Sequence, residues 1–237
     1  MDWAATLAAA KRSQAAYIED AAESKAAFEA MGLTWLGLYA NDSHQAVLSR
    51  DAPSIYLSIS GTRFLSRLGD FLDDLFISPI DVGGGAKVSA GAYVGLSTMW
   101  TWAKSLVPRG SVFTVEGHSL GGERALFSGS FLPVAQIAAV YAFEAPKGAN
   151  GAYWAKYADV VSNAVSTVNQ NDIWYGWPFL SEYEHPPYPV AWLKPTGYQM
   201  IMPNQWPRGL SLPQHDMGMV LQRIEAIAAA SNLVPAA

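Results

Sequence analysis

The octapeptide Val115-Glu116-Gly117-His118-Ser119-Leu120-Gly121-Gly122 sets the tightest limit on how this chain can fold. A short β-prone run at residues 111–115 leads into it, and a helix from residue 120 to about 131 is predicted to follow. Glycines two before and two after Ser119 allow a strand to turn sharply into a helix, with the serine side chain pushed out at the C-terminal edge of the sheet. A chance glycine-rich turn is the competing explanation. The strand before, the helix after and the extra Gly122 weigh against it.

The rest of the chain agrees with such a setting. Residues 3–30 are Ala-rich with apolar positions at helical spacing and predict an N-terminal helix. Residues 33–40 and 45–49 flank Asn41-Asp42-Ser43 and predict a strand pair. Residues 54–60, 137–143 and 165–168 predict further strands; residues 91–106, 153–161 and 216–231 predict helices. Strands alternating with helices imply an α/β architecture, a mostly parallel central sheet with helices on both faces. No repeat or linker divides residues 1–237, so a single domain is expected. Residues 174–213 stand apart. They hold eight of the fourteen prolines together with Trp174, Trp177, Trp192 and Trp206. We read them as an elaborated connection with a hairpin at 190–202 around Thr196-Gly197.

Composition removes several functional classes. The chain has no cysteine, so disulfides, thiolate nucleophiles and cysteine metal sites are excluded. Its formal charge is −5 and its Lys and Arg are scattered, against a nucleic-acid partner. Lys11 and Arg12 follow the apolar N-terminal stretch instead of preceding it, the wrong order for a signal peptide. No apolar run reaches the roughly 18 residues of a transmembrane helix. A cytoplasmic location is the default expectation, with loss of a leader or another export route left open. Oligomeric state is not legible.

VEGHSLGG resembles the elbow of the class 3, or fungal-type, triacylglycerol lipase family of α/β-hydrolases. SISGTRFLSRLGDFLDDL, KVSAGAYVGL, AVYAFEAPKGAN, VNQNDIWYGWP and HDMGMVL resemble further segments of that family in the same order, over about residues 35–225. The resemblance implies an α/β-hydrolase fold, Ser119 as nucleophile and no metal or organic cofactor.

A serine hydroxyl needs a base to take its proton and an acid to orient the base. His185 and His215 follow Ser119 at a distance, and Asp159 and Asp172 lie between. Asp172 follows a strand end and matches the family's acid; Asp159 falls in a helix and is expected on a solvated face. His215 directly precedes the last helix and matches the family's base; His185 resembles a non-catalytic histidine of the family. His118, next to the serine, is expected to point away and pack, and His44, in a turn, to lie on the surface. The Leu120 N–H is placed for an oxyanion, and the family implies Thr62 as the second donor.

The stripe Phe64, Leu65, Leu68, Phe71, Leu72 and Leu75 has two readings: a core-packed helix, or a mobile cover at 63–73. Phe64, Leu68, Phe71, Trp174 and Trp177 are the candidate walls of an acyl pocket. Glu116, Glu123, Arg124 and Glu144 stand where the family has small or neutral residues. They imply either a solvated rim or a buried network pairing Arg124 with Glu116 or Glu144. The expected activity is cleavage of lipid carboxylic esters, with transient contact at a lipid–water interface. A phospholipase or short-chain carboxylesterase is the alternative within the class. A non-catalytic lipid- or partner-binding domain is the alternative outside it.

Overall fold

The computed structural model describes residues 1–41, 44–61, 78–179, 182–207, 209 and 211–231. Ten strands are found among them: β1 (Thr34–Ala40), β2 (Gln45–Asp51), β3 (Ser54–Ile59), β4 (Pro79–Asp81), β5 (Lys87–Ser89), β6 (Phe113–His118), β7 (Ile137–Phe143), β8 (Ala164–Asn169), β9 (Val190–Leu193) and β10 (Tyr198–Ile201). Eight form one sheet in the order β1-β2-β3-β6-β7-β8-β9-β10, while β4 and β5 pair separately. From β3 to β9 the pairings are parallel; β1, β2 and β10 add antiparallel edges. The α/β architecture and the predicted hairpin, now β9–β10, are both observed.

Helices cover both faces. On one lie α3 (Ala90–Tyr93), α4 (Leu96–Ser105), α5 (Leu120–Leu126), α6 (Gly151–Lys156) and α7 (Ala158–Val161); on the other lie α1 (Trp3–Ala15) and α8 (Met217–Ser231). Strand β7 shows why. Val140 and Ala142 face the first set, and Tyr141 and Phe143 face the second, as the two-residue period of a strand requires. Val220, Ile224 and Ile227 form the matching stripe of α8. Burying such a side chain fully contributes about 1.5–3 kcal/mol. A further helix, α2 (Ala21–Ala30), docks Phe28 beside Val47 at the sheet's edge.

Four predicted helices are broken where local chemistry intervenes. Residues 3–30 form two helices, because the Asp20 carboxylate accepts from the N–H groups of Ala22 and Glu23 and starts α2 afresh. Residues 91–106 divide at Gly95, whose φ of 89° is left-handed. The helix after Ser119 tightens into a 3₁₀ turn at Phe127–Ser130, and residues 153–161 split between α6 and α7. No described helix is long and apolar enough to cross a membrane.

Candidate active site

Strand β6 ends at His118 and α5 begins at Leu120, so Ser119 is the whole turn. Its φ of 57° and ψ of −131° are unusual for a residue with a side chain. The strain is held by close backbone packing. A Cβ on Gly117 would strike the Gly121 carbonyl, and one on Gly121 would strike the Ile59 carbonyl. Ser119 N–H donates to the Phe143 carbonyl at 2.8 Å, tying the turn to β7. Leu120 is the first residue of α5, so its N–H has no acceptor within the helix and is available to a developing oxyanion.

The predicted base and acid meet this serine. His215 Nε2 lies 2.7 Å from Ser119 Oγ, and His215 Nδ1 lies 2.8 Å from Asp172 Oδ2. Asp172 is fully buried, and its Oδ1 accepts from the Trp174 N–H at 3.0 Å. The imidazole therefore carries its proton on Nδ1, held by the carboxylate, and presents Nε2 to the serine. Ser119 is half-buried and reachable. His185 instead stacks on Tyr175 at 3.9 Å, with Nε2 hydrogen-bonded to the Tyr175 carbonyl. Asp159 is exposed, as expected.

The aromatic connection positions the acid and the base. Trp192 and Trp206 both donate their indole N–H to the Gln170 carbonyl, at 2.9 and 2.8 Å. Ser211 N–H donates to Asn171 O and Ser211 O accepts from Ile173 N–H, fastening the strand of chain before His215 to the loop that carries Asp172. Trp174 sits 6.2 Å from the His215 ring and Trp177 6.2 Å from Trp174, ring centre to ring centre. An open pocket of about 540 Å³ adjoins this connection, lined by Gly176, Phe179, Tyr183, Met202 and Trp206 among others. Thr62, Phe64, Leu68 and Phe71, with the rest of the stripe, lie outside the described residues.

His118 does not simply pack. Its Nδ1 lies 2.7 Å from the Tyr17 hydroxyl and its Nε2 3.1 Å from Glu144 Oε2. Burial, with His215 adding to it, holds His118 well below the usual histidine range, so the ring is neutral. Glu144 directly follows β7 with a left-handed φ of 52°, a conformation that costs a non-glycine residue about 1–3 kcal/mol. Its Oε1 accepts from the Asn169 N–H at 3.2 Å, and its Oε2 lies 3.7 Å from His215 Nδ1. His118, Glu144 and His215 thus bring possible ligand atoms within 4.8 Å of one another. Each ring nitrogen of both histidines is already engaged, so the cluster is a hydrogen-bond network and offers a metal no free donor.

The four unexpected charges are buried, not a rim, and their partners differ from those predicted. Glu116 pairs with Arg12 of α1, at 2.6 and 2.7 Å, and accepts from Ser58. Arg124 reaches the Ser60 and Gly91 carbonyls instead of Glu116 or Glu144. His44 is also buried, covered where α3 gives way to α4, and burial pushes it down to about 3. A partner 104 residues away cannot be seen in local spacing.

Glu123 accepts from Ser89 Oγ at 2.5 Å, and burial pushes its carboxyl up to about 8. A carboxyl raised on folding is protonated in the fold where it is already ionised in the unfolded chain. Stability therefore falls as pH rises from about 4.3, the unfolded value, to the folded one. Glu123→Gln is expected to flatten the urea-derived unfolding free energy across pH 5–8. An unchanged slope would show that Glu123 is not its source.

Neither a protein-family model nor a curated protein sequence matches the chain. Solved structures match its fold. The lipase from Rhizopus microsporus var. chinensis superposes with a TM-score of 0.66 at 19% identity, covering 90% of this chain and 85% of that one. Lipase II from Rhizopus niveus gives 0.66 at 19% identity, covering 90% and 92%. A triacylglycerol lipase from Penicillium expansum gives 0.60 at 18%, covering 81% and 80%. Together with the eight-stranded sheet and the turn at Ser119, these matches show that the chain has the α/β-hydrolase fold of the fungal triacylglycerol lipases.

Proposed function

We propose that the protein is a serine hydrolase that cleaves carboxylic esters of lipids. One observation carries the reading: the unbroken relay Ser119–His215–Asp172, with 2.7 and 2.8 Å links, on a strained strand-to-helix turn. Ser119 Oγ attacks the ester carbonyl while His215 Nε2 takes its proton. The imidazolium is held by Asp172, and the Leu120 N–H bonds the oxyanion. When the tetrahedral intermediate collapses, His215 gives the proton to the leaving alcohol. Water, activated by the same histidine, then releases the acid and restores Ser119. Asp172 orients His215 and takes no proton itself.

That the proteins of like fold are lipases supports lipid esters as the substrate class. A fluorophosphonate is expected to label Ser119 and to leave Ser119→Ala unlabelled. Esters of increasing acyl length, assayed below and above their solubility limits, separate a lipase from a short-chain carboxylesterase. A wild-type chain that takes no label, in the folded state, would return the fold to a binding role.

The second oxyanion donor is proposed at Thr62. Gly61, the residue before it in sequence, lies against the turn, where an added Cβ would fall 2.8 Å from both His118 O and Ser119 Cβ. Thr62→Val keeps the backbone N–H and removes the hydroxyl. If the hydroxyl donates, kcat falls by a factor corresponding to about 2–4 kcal/mol. Unchanged kcat would confine Thr62 to its backbone.

A further inference from the structure

The triad mechanism uses one carboxylate, yet two reach the same imidazole. Asp172 Oδ2 lies 2.8 Å from His215 Nδ1, and Glu144 Oε2 lies 3.7 Å from that same atom. The two acids follow neighbouring parallel strands, β7 and β8, so both side chains enter at the edge of the sheet where Ser119 emerges. Both are fully buried. Glu144 holds its place at the expense of a left-handed backbone that a glycine would adopt freely, which points to a role for the side chain.

Resting on the hydrolase reading above, we propose that Glu144 is a positioning residue for His215, a reserve acid that takes over the Nδ1–H bond when Asp172 cannot hold it. The geometry requires only a small rotation of the imidazole. The rotation is supported on its other side by the His118 ring, 4.8 Å from His215 centre to centre and itself bonded to Glu144 and Tyr17. The surrounding charges account for why Glu144 stands in reserve. Burial first, then the charge of Asp172, raise the Glu144 carboxyl well above its usual range; Asp216 pushes the same way, while the Asn169 N–H and Arg223 oppose. Neutral His118 adds no charge, and Tyr17, pushed up by burial, stays protonated behind it. Its raised carboxyl makes Glu144 a weaker partner for Nδ1–H than Asp172, which already holds that bond at 2.8 Å. Removing the Asp172 charge removes the second of these causes, and Glu144 is then the acidic side chain nearest His215 Nδ1 among the described residues.

The test is a cycle of wild type, Glu144→Gln, Asp172→Asn and the double variant. Two quantities are read: the rate at which a fluorophosphonate labels Ser119, and the downfield proton-NMR resonance of the His215 Nδ1–H. Glu144→Gln alone is expected to slow labelling less than about tenfold. Asp172→Asn is expected to cost about a hundredfold, against about 10⁴-fold where a triad has a single acid. Glu144→Gln in the Asp172→Asn background is expected to cost about a further hundredfold, a strongly non-additive cycle. The downfield resonance is expected to persist in Asp172→Asn and to vanish in the double variant. Equal effects of Glu144→Gln in both backgrounds, or loss of the resonance in Asp172→Asn alone, would overturn the proposal. That single variant is isosteric and decides the matter even if the double variant does not fold. The resonance is also read without turnover. A wild type that resists labelling but behaves as expected by NMR would sink the hydrolase reading and leave the reserve contact standing.

Discussion

Ser119→Ala and His215→Ala are each expected to lower ester turnover about a millionfold, with circular dichroism and melting temperature close to wild type. The two residues work as one unit: the hydroxyl is nucleophilic only while Nε2, 2.7 Å away, accepts its proton. The double variant is therefore expected to be no slower than either single one, the residual rate coming from the oxyanion donor and substrate binding. His185→Ala serves as the comparison. Its ring is committed to the Tyr175 carbonyl and stacked on the Tyr175 ring, so turnover is expected near wild type. Steady-state kinetics on a soluble ester decide it. A His215→Ala protein with near-normal turnover, beside an inactive His185→Ala, would reassign the base.

Arg12→Ala is expected to be the most damaging change far from the nucleophile's hydroxyl. The Arg12 guanidinium of α1 grips Glu116 of β6 through two hydrogen bonds and lies 3.9 Å over the ring of Tyr56 on the neighbouring β3. Deleting it leaves a buried carboxylate on the strand that carries Ser119, with only Ser58 still donating to it. Removal of one partner from a buried ion pair costs about 3–5 kcal/mol, much of a domain's total stability. Replacing both, as Arg12→Met with Glu116→Met, is expected to cost much less, since no charge is then stranded. Urea unfolding of the two variants beside wild type makes the comparison. Equal losses in the single and double variants would show that packing, not stranded charge, sets the cost.

The strands and the serine turn were legible because both are local. Alternation of large apolar and small polar residues along 54–60, the apolar run at 137–143, and two glycines around Ser119 leave few other structures open. Asp172 and His215 were legible through chain order, a strand end and a family resemblance. Helix breaks were less so, because a single Asp20 cap or one left-handed Gly95 outweighs a continuing apolar pattern. The electrostatic partners were not legible at all. Glu116 and Glu144 stood out as charges in apolar runs, but Arg12 and Tyr17, which complete their networks, sit more than a hundred residues earlier. His44 misled for the same reason: a turn residue looks exposed until the helices that cover it are known.

The catalytic relay spans 96 residues of sequence, and its base hangs on the helix that packs beside α1. Pairing of β3, β6 and β7 suffices to bend the chain at Ser119, but the resulting nucleophile is silent until α8 has docked. Under the proposed function, activity therefore needs α8 docked as well as the sheet formed, because His215 directly precedes that helix. By the same logic it is among the first properties to go. Fraying of α8 away from α1 withdraws His215 while the eight-stranded sheet still stands, so heat or mild denaturant should extinguish activity before the sheet's spectroscopic signal fades.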